Sequence, residues 1–219
     1  ACSQAQVDLA TVIINPVPTA IIAGDATVCL GDPLPTITFT GANGTAPYTF
    51  TYTINGGANT TVTSVGATAT ITVPTGTAGT FSYDLVSVQD ASATACSQVQ
   101  VGNGTVVVNP LPTATIAGDI TLCVNDVAPT ITFTGANGSA PYTFTYTING
   151  GASSTVTSVG VTATVTAPTG TAGAFMYDLV SVQDASATGC SQAQVGSATI
   201  IVNPLPTATI VGDISLCLG

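Results

Sequence analysis

The chain has 219 residues, 45% of them hydrophobic, and its ten charged side chains are all Asp, giving a net charge of -10 without any Lys, Arg or His. Nucleic-acid binding is excluded because phosphate backbones are held mainly by Lys and Arg. General acid–base catalysis lacks histidine, the side chain whose ordinary pKa lies nearest to neutral, and the Ser and Thr hydroxyls lack a base to activate them. We therefore expect no enzyme, no catalytic residue and no cofactor.

The sequence repeats itself every 94 residues. Cys2, Cys96 and Cys190 each begin the sequence C-S-Q-x-Q-V, and the copies align without an insertion or a deletion. A fixed period of this length is typical of an array of equivalent folded units. The chain is therefore expected to be a window from a longer array. The expected segments are 1–18 as the end of a preceding repeat, 19–110 and 111–204 as two complete repeats, and 205–219 as the start of a following repeat.

Within each repeat, apolar and polar residues alternate with a period of two, which predicts strands with one buried face. The apolar rows are, in chain order, Ile37 and Phe39; Tyr48, Phe50, Tyr52 and Ile54; Ala69, Ile71 and Val73; Phe81, Tyr83 and Leu85; and Val106 to Val108. Val86 and Val88 continue the fourth row in the opposite parity, which indicates a β-bulge or a strand buried on both faces.

Turn-forming Gly, Asn, Asp and Pro residues separate these rows. About seven short strands with regularly spaced turns are typical of an immunoglobulin-like sandwich. The predicted fold class is therefore all-β, with tandem immunoglobulin-like β-sandwich domains of about seven strands in each 94-residue repeat. No apolar run approaches the roughly 20 residues of a membrane span, so this segment is not expected to insert into a membrane.

Each repeat is joined to the next by a connector of sequence N-P-x-P. Proline has a fixed φ and no backbone N–H, so the connectors are expected to be extended and stiff and to hold neighbouring domains at a constant spacing. The linker prolines are Pro16, Pro18, Pro110, Pro112, Pro204 and Pro206.

Six cysteines, two in each repeat, predict disulfides and an oxidising compartment. The favoured pairs, which make every repeat self-sufficient, are Cys29–Cys96 and Cys123–Cys190, with Cys2 and Cys217 pairing with neighbouring repeats. Two alternatives stay open: the pairs Cys2–Cys29 and Cys96–Cys123, or a bridge between the first turn of one domain and the last hairpin of the next. Chain entropy does not choose between the first two, because it gives about 4 kcal/mol for within-repeat pairs and about 3.5 kcal/mol for junction pairs. The topology of a plain sandwich favours the third.

The Asp residues are the remaining candidates for a site. They are thinly spread, without D-x-D spacing, whereas Ca²⁺ takes about 6–8 oxygen ligands from clustered groups. The predicted role of these carboxylates is turn formation and N–H capping, and no metal site is expected. In the first complete repeat they are Asp25, Asp32, Asp84 and Asp90, and in the second Asp119, Asp126, Asp178 and Asp184.

Three motifs carry a family resemblance: N-P-x-P-T-A-T-I-x-G-D-x-T-x-C at 109–123, A-P-Y-T-F-T-Y-T at 46–53 and Y-D-L-V-S-V-Q-D-A at 83–91. The chain resembles the immunoglobulin-like (PKD-like) repeats of large Bacteroidota cell-surface proteins, among them gliding-motility adhesins. The resemblance implies export, an extracellular or cell-surface location, and a role as a stalk or adhesive fibre.

We therefore expect a structural segment of an extracellular fibre or adhesin stalk, built from disulfide-bonded repeats and able to associate into filaments. Its expected partners are neighbouring repeats or copies of the same chain, with surface polysaccharide as a further candidate. The alternative is an adhesive module in which many weak glycan or calcium sites act together through multivalency. The absence of Lys and Arg also removes every trypsin site, which suits an exposed fibre.

Overall fold

The computed structural model of the chain describes residues 10–218, and these divide into two compact units on either side of the Asn109–Pro110 bond. All regular structure in the described residues consists of strands. Neither 10–18 nor 204–218 contains a strand. Among the described residues, no helix has the length and apolarity needed to cross a membrane.

The first unit has nine strand segments. They are β1 Thr19–Ala23, β2 Ala26–Cys29, β3 Thr36–Ala42, β4 Thr49–Ile54, β5 Thr60–Thr63, β6 Thr68–Thr72, β7 Gly79–Gln89, β8 Ser97–Val99 and β9 Asn103–Asn109. The second unit repeats this order. Its strands are β10 Thr113–Ala117, β11 Ile120–Cys123, β12 Thr130–Ala136, β13 Thr143–Ile148, β14 Ser154–Thr157, β15 Thr162–Thr166, β16 Gly173–Gln183, β17 Ser191–Ala193 and β18 Ser197–Asn203.

Each unit is a sandwich of a three-stranded and a six-stranded sheet. In the first unit the small sheet has the order β1-β3-β6, and the large sheet has the order β2-β9-β7-β4-β5 with β8 also paired to β7. All pairs are antiparallel except β2 with β9, which run parallel. The second unit has the same two sheets in the same order, with β11 parallel to β18.

The nine segments occupy seven strand positions. β1 and β2 are successive parts of the first strand, which leaves the small sheet and joins the large one. β8 and β9 both lie along the same strand β7, β8 beside Ser87–Gln89 and β9 beside Gly79–Asp84, so they form one interrupted last strand. This arrangement is that of an immunoglobulin-like domain, and the chain is an all-β tandem of two such domains.

The predicted alternation of apolar and polar residues determines which side chains form the core. In β3, Ile37 and Phe39 are completely buried, and in β4 Phe50 is completely buried while the intervening threonines are not. Phe39 packs between Phe50 and Tyr52, with ring centroids 5.5 and 5.1 Å apart. Each buried aromatic or aliphatic side chain stabilises the fold by roughly 1.5–3 kcal/mol. The second unit has a separate core with the equivalent residues.

The change of parity in β7 is a β-bulge, one of the two structures that the sequence pattern indicated. Thr51 lies opposite Ser87, but the next residue of β4, Tyr52, lies opposite Leu85, so Val86 is the extra residue. The bulge returns Val88 to the core, where it is completely buried. The same shift occurs in the second unit between Thr145 and Tyr146.

Candidate functional site at the two ends of each unit

One end of the first unit is where the chain leaves it, and we call this the exit end. Cys29 is the last residue of β2 and lies beside Asn109, the last residue of β9. The Leu30 N–H donates to the Asn109 carbonyl at 2.9 Å. The Cys29 N–H donates to the Asp32 carboxylate at 2.7 Å, which closes a tight turn around the cysteine. Thr75 adds a hydroxyl bond to the Asp32 carbonyl at 2.7 Å, fixing the β6–β7 turn at this end.

The opposite end, the entry end, is organised by Asp90. Its carboxylate accepts hydrogen bonds from the Ser92 hydroxyl at 2.7 Å and the Thr45 N–H at 3.0 Å. The Asp90 N–H donates to the Cys96 carbonyl at 2.9 Å, so the loop carrying this cysteine is bound to the same carboxylate-bearing residue. The hydrogen bond from the Ser92 hydroxyl, which favours the charged form, lowers the pKa of Asp90 below its ordinary value.

A buried tyrosine supports this end. The Tyr48 hydroxyl donates to the Gly44 carbonyl at 2.9 Å and accepts from the Gly44 N–H at 3.2 Å. A side chain at Gly44 would meet Asp90 at 2.9 Å and the ring of Pro18 at 3.1 Å. The buried Pro18, the second proline of the preceding connector, therefore packs on the entry end, while Pro16 is exposed.

The entry end of the second unit has the same bonds. The Asp184 carboxylate accepts from the Ser186 hydroxyl at 2.6 Å and the Ser139 N–H at 3.0 Å, and the Asp184 N–H donates to the Cys190 carbonyl at 3.0 Å. Pro112 is buried there, and a side chain at Gly138 would meet its ring at 3.1 Å. Of the other connector prolines, Pro110, Pro204 and Pro206 are exposed.

The two ends of a unit are separated by the length of β7. Its first residue, Gly79, pairs with Val108 next to the exit end, and its last residue, Gln89, precedes Asp90 at the entry end. The ten steps of about 3.3 Å between the first and the last of the 11 residues of this strand span about 33 Å.

This separation corrects the predicted cysteine pairs. Cys29 lies at the exit end and Cys96 at the entry end of the same unit, whereas a disulfide needs Cα atoms within about 7 Å of each other. The structure accordingly has Cys29 in a disulfide and Cys96 as a free thiol. The prediction of Cys29–Cys96 was wrong because sequence separation carries no information about which end of a strand a loop occupies.

The second unit shows the same division. Cys190 is disulfide-bonded and almost completely buried, while Cys123 is free, so the predicted pair Cys123–Cys190 is also wrong. The free state of Cys96 and Cys123 likewise removes the alternative pair Cys96–Cys123. Cys217 is an exposed free thiol, and its pairing with a neighbouring repeat stays a prediction. Cys2 lies outside the described residues.

The four carboxylates of the first unit all accept hydrogen bonds, but only Asp32 and Asp90 cap N–H groups of their own turns, as the sequence predicted. Asp25 accepts from the Thr105 N–H at 2.7 Å, and Asp84 accepts from the Ser82 hydroxyl at 3.0 Å. With Asp32 and Asp90, each of the four acidic residues thus has donors in its own neighbourhood. Across residues 10–218, the structure contains no pocket and no group of three or more Cys, Asp, Glu or His residues placed to hold a metal ion.

Several features of the two ends could not be inferred from the sequence. They include the parallel pairing of β2, the burial of Asp90, and the buried hydroxyls of Ser64 and Thr75. The available signal for Asp90 was a run of small residues, D-A-S-A-T, that resembles any turn. Nothing in that run indicates that the carboxylate of Asp90 is buried.

No protein-family model matches the chain, and no curated protein matches it. Among solved structures, it is similar to the fibronectin(III)-like modules of Clostridium thermocellum CbhA, at 16% identity over 89% of this chain and 100% of that chain, with a TM-score of 0.35. It is also similar to the human OSCAR ligand-binding domain, at 15% identity over 85% of this chain and 97% of that chain, with a TM-score of 0.35. A third is the N-terminal four Ig domains of Dscam1 isoform 6.9, at 11% identity over 88% and 48% of the two chains, with a TM-score of 0.33.

Proposed function

We propose that the chain is a structural segment of an extracellular fibre or cell-surface adhesin stalk, in which each repeat adds length. The observation that carries this proposal is the path of the chain through one unit. The chain enters beside Pro18 and Asp90, leaves at Asn109 beside Cys29, and advances about 33 Å along the sandwich. A domain whose termini lie at opposite ends gains length with every added copy.

The separate core of each unit supports the same function. A repeat that buries its own apolar rows does not depend on a neighbour for folding. The number of repeats in a chain is therefore not limited by the stability of a single repeat. The presence of disulfide-bonded cysteines supports an oxidising compartment, since disulfides persist outside the cytosol. The resemblance to repeats of Bacteroidota surface proteins is the basis for the cell-surface assignment.

We test the spacing role by small-angle X-ray scattering on the 219-residue chain and on chains lengthened by further 94-residue repeats. The expected result is a maximum dimension that rises by about 40 Å for each repeat, from about 33 Å of sandwich and a three-residue connector. The matched control replaces the exposed Pro110 by Gly, which loosens the connector and is expected to give smaller, less uniform increments. A maximum dimension that does not rise with repeat number would contradict the proposal.

The location is tested separately, by labelling cells of the source organism with an antibody to the repeat. Intact cells should be labelled as strongly as lysed ones. An antibody to a cytoplasmic protein, which should label only lysed cells, is the control. Label that appears only after lysis would exclude a surface stalk, whatever the scattering shows.

The partners in this proposal are neighbouring repeats and other copies of the chain. Both sheets present threonines between their buried residues, and cross-strand hydroxyl pairs such as Thr49 with Thr63, 3.4 Å apart, leave the surface polar but uncharged. Such surfaces repel each other weakly once the net charge of -10 is screened by salt. Sedimentation at rising protein concentration and about 0.5 M salt should show association; a strictly monomeric chain would remove the filament part of the proposal.

A further inference from the structure

Four strands form the open ends of the two sheets in the first unit: β1 and β6 in the small sheet, and β2 and β5 in the large one. An open edge presents backbone N–H and C=O groups to other chains, and proteins commonly protect it with proline or charged residues. Pro18 directly precedes β1, Asp25 directly precedes β2, and Pro74 follows β6 by two residues. Around β5, by contrast, residues 48–73 contain no proline and no charged residue. β5 is therefore the unprotected one of these four edges.

The hydrogen bonds beside β5 show which of its backbone groups point outward. The Ser64 N–H, one residue beyond β5, donates to the Tyr48 carbonyl at 2.8 Å, so this residue bonds inward, toward β4. Residues of an antiparallel pair alternate between bonding to the partner strand and pointing away from it. Thr61 and Thr63 therefore direct their N–H and C=O groups away from β4, to the open edge.

The second unit presents the same edge. The Ser158 N–H donates to the Tyr142 carbonyl at 2.8 Å, which places the N–H and C=O groups of Thr155 and Thr157 at the open side of β14. Residues 142–167 again contain no proline and no charged residue. An unprotected edge thus recurs in each repeat.

We propose that copies of the chain associate through this edge, with β5 of one copy pairing antiparallel with β5 of a second copy. The pairing presupposes the self-association in the proposed function and names the strand that carries it. About a two-fold axis at Val62, Thr61 of each copy lies opposite Thr63 of the other. Each of these two residue pairs exchanges two hydrogen bonds, so four form and the large sheet continues across both molecules.

Charge favours a second copy as the occupant of this edge. All charged side chains are Asp, so copies repel each other wherever their carboxylates meet. The first Asp reached from β5 across the large sheet is Asp84 on β7, two strands away. In the proposed pair the two Asp84 residues are five strand spacings apart, about 24 Å. This distance exceeds the Debye length of about 8 Å at physiological ionic strength, so the pairing brings no strand carboxylates of the large sheets into conflict.

The proposal is tested by sedimentation of the 219-residue chain in about 0.5 M salt, which gives the concentration at which half of it is associated. Thr63→Pro/Thr157→Pro removes one outward N–H from the edge of each unit. Proline is tolerated there because that N–H faces the open side of an edge strand. The variant loses two of the four hydrogen bonds in a pair, and its half-association concentration should rise about tenfold.

A charge variant has a control of identical composition. Thr63→Asp/Thr157→Asp places two carboxylates about 8 Å apart across each pair and should also raise the half-association concentration. Thr27→Asp/Thr121→Asp adds the same two charges at exposed threonines on β2 and β11, at the opposite end of the large sheet, and should leave it nearly unchanged. Thermal unfolding of each variant shows that it is folded.

Amide exchange followed by NMR tests the wild-type chain without any substitution. The amides of Thr61 and Thr63 should exchange more slowly as protein concentration rises, whereas that of Thr70 on β6 should not change. Slowed exchange at β6 or β8 in place of β5, or association that both Thr63 variants leave unchanged, would overturn the proposal while self-association itself stood. A chain that stays monomeric would remove the proposal and the filament part of the function together, and growth of length with repeat number is measured independently of both.

Discussion

Replacing Gly41 by Ala should strain the contact between the two sheets. A Cβ at Gly41 would lie 2.5–2.9 Å from three ring carbons of Tyr48, well inside ordinary carbon–carbon contact. Gly41 is buried in β3 of the small sheet, and Tyr48 lies directly before β4 of the large sheet. The absence of a side chain at residue 41 therefore allows the tyrosine ring to lie flat against the opposite backbone.

The ring cannot move away without loss. The Tyr48 hydroxyl makes two bonds to the Gly44 backbone, at 2.9 and 3.2 Å, and the ring stacks on Phe50 with centroids 6.2 Å apart. Overpacking costs about 1–3 kcal/mol, and loss of one hydrogen bond adds about 1 kcal/mol. We expect Gly41→Ala to lower the free energy of unfolding of the first unit by about 2–4 kcal/mol, equivalent to a fall in Tm on the order of 10–25 °C for a domain of this size.

The assay is calorimetric unfolding of the 219-residue chain, with Gly76→Ala as the matched control. A Cβ added at Gly76 would have no atom within 4 Å, and this glycine does not adopt a left-handed φ, so its substitution should shift Tm little. The double variant Gly41→Ala/Tyr48→Ala should be less destabilised than the sum of the single variants, because the ring that clashes is gone. A loss below about 0.5 kcal/mol for Gly41→Ala, or an additive double variant, would refute the reasoning.

Three further substitutions test the core and the entry end. Asp90→Asn should reduce the fall in Tm that the chain shows at acid pH. The Ser92 hydroxyl holds the pKa of Asp90 below its ordinary value of 3.8, so the charged carboxylate stabilises the fold fully above that pH and loses this effect as pH falls through the folded-state pKa. An unchanged fall in Tm at acid pH would contradict this prediction. Phe39→Ala should cost about 3–5 kcal/mol in urea unfolding, since the ring is completely buried, and a cost below about 1 kcal/mol would contradict the assigned core. Ser64→Ala should cost about 1–3 kcal/mol, because the buried Tyr48 N–H loses its acceptor at 2.7 Å; retained thermal stability would show that another acceptor replaces it.

Much of the fold follows from local pattern. The period-two rows identified Ile37, Phe39 and Phe50 as core residues, because a strand places alternate side chains on one face wherever it pairs. The change of parity at Val86 indicated either a bulge or a strand buried on both faces, and the structure has the bulge. The same pattern predicted Ile54 as inward, yet it is 38% exposed. Alternation gives the face of a residue but not whether the opposite sheet extends far enough to cover it.

The features that were missed depend on contacts between distant parts of the chain. β2 contains only Ala26–Cys29 and forms a strand because β9, some 80 residues later, offers a free edge. The cysteine pairing failed for a related reason. Which end of the sandwich a loop occupies depends on the number of strands between two cysteines and on their directions, and Cys29 and Cys96 differ in that respect although both lie in one repeat.

The residue types within a unit divide between its ends and its sheets. The cysteines, the enclosed carboxylate of Asp90 and the buried connector proline Pro18 all belong to the ends, whereas the sheets present mainly threonine. The chemistry of this unit is instead concentrated where the chain enters and leaves. Substitutions on the threonine faces should therefore be tolerated, while those at the ends should lower the free energy of unfolding of the unit.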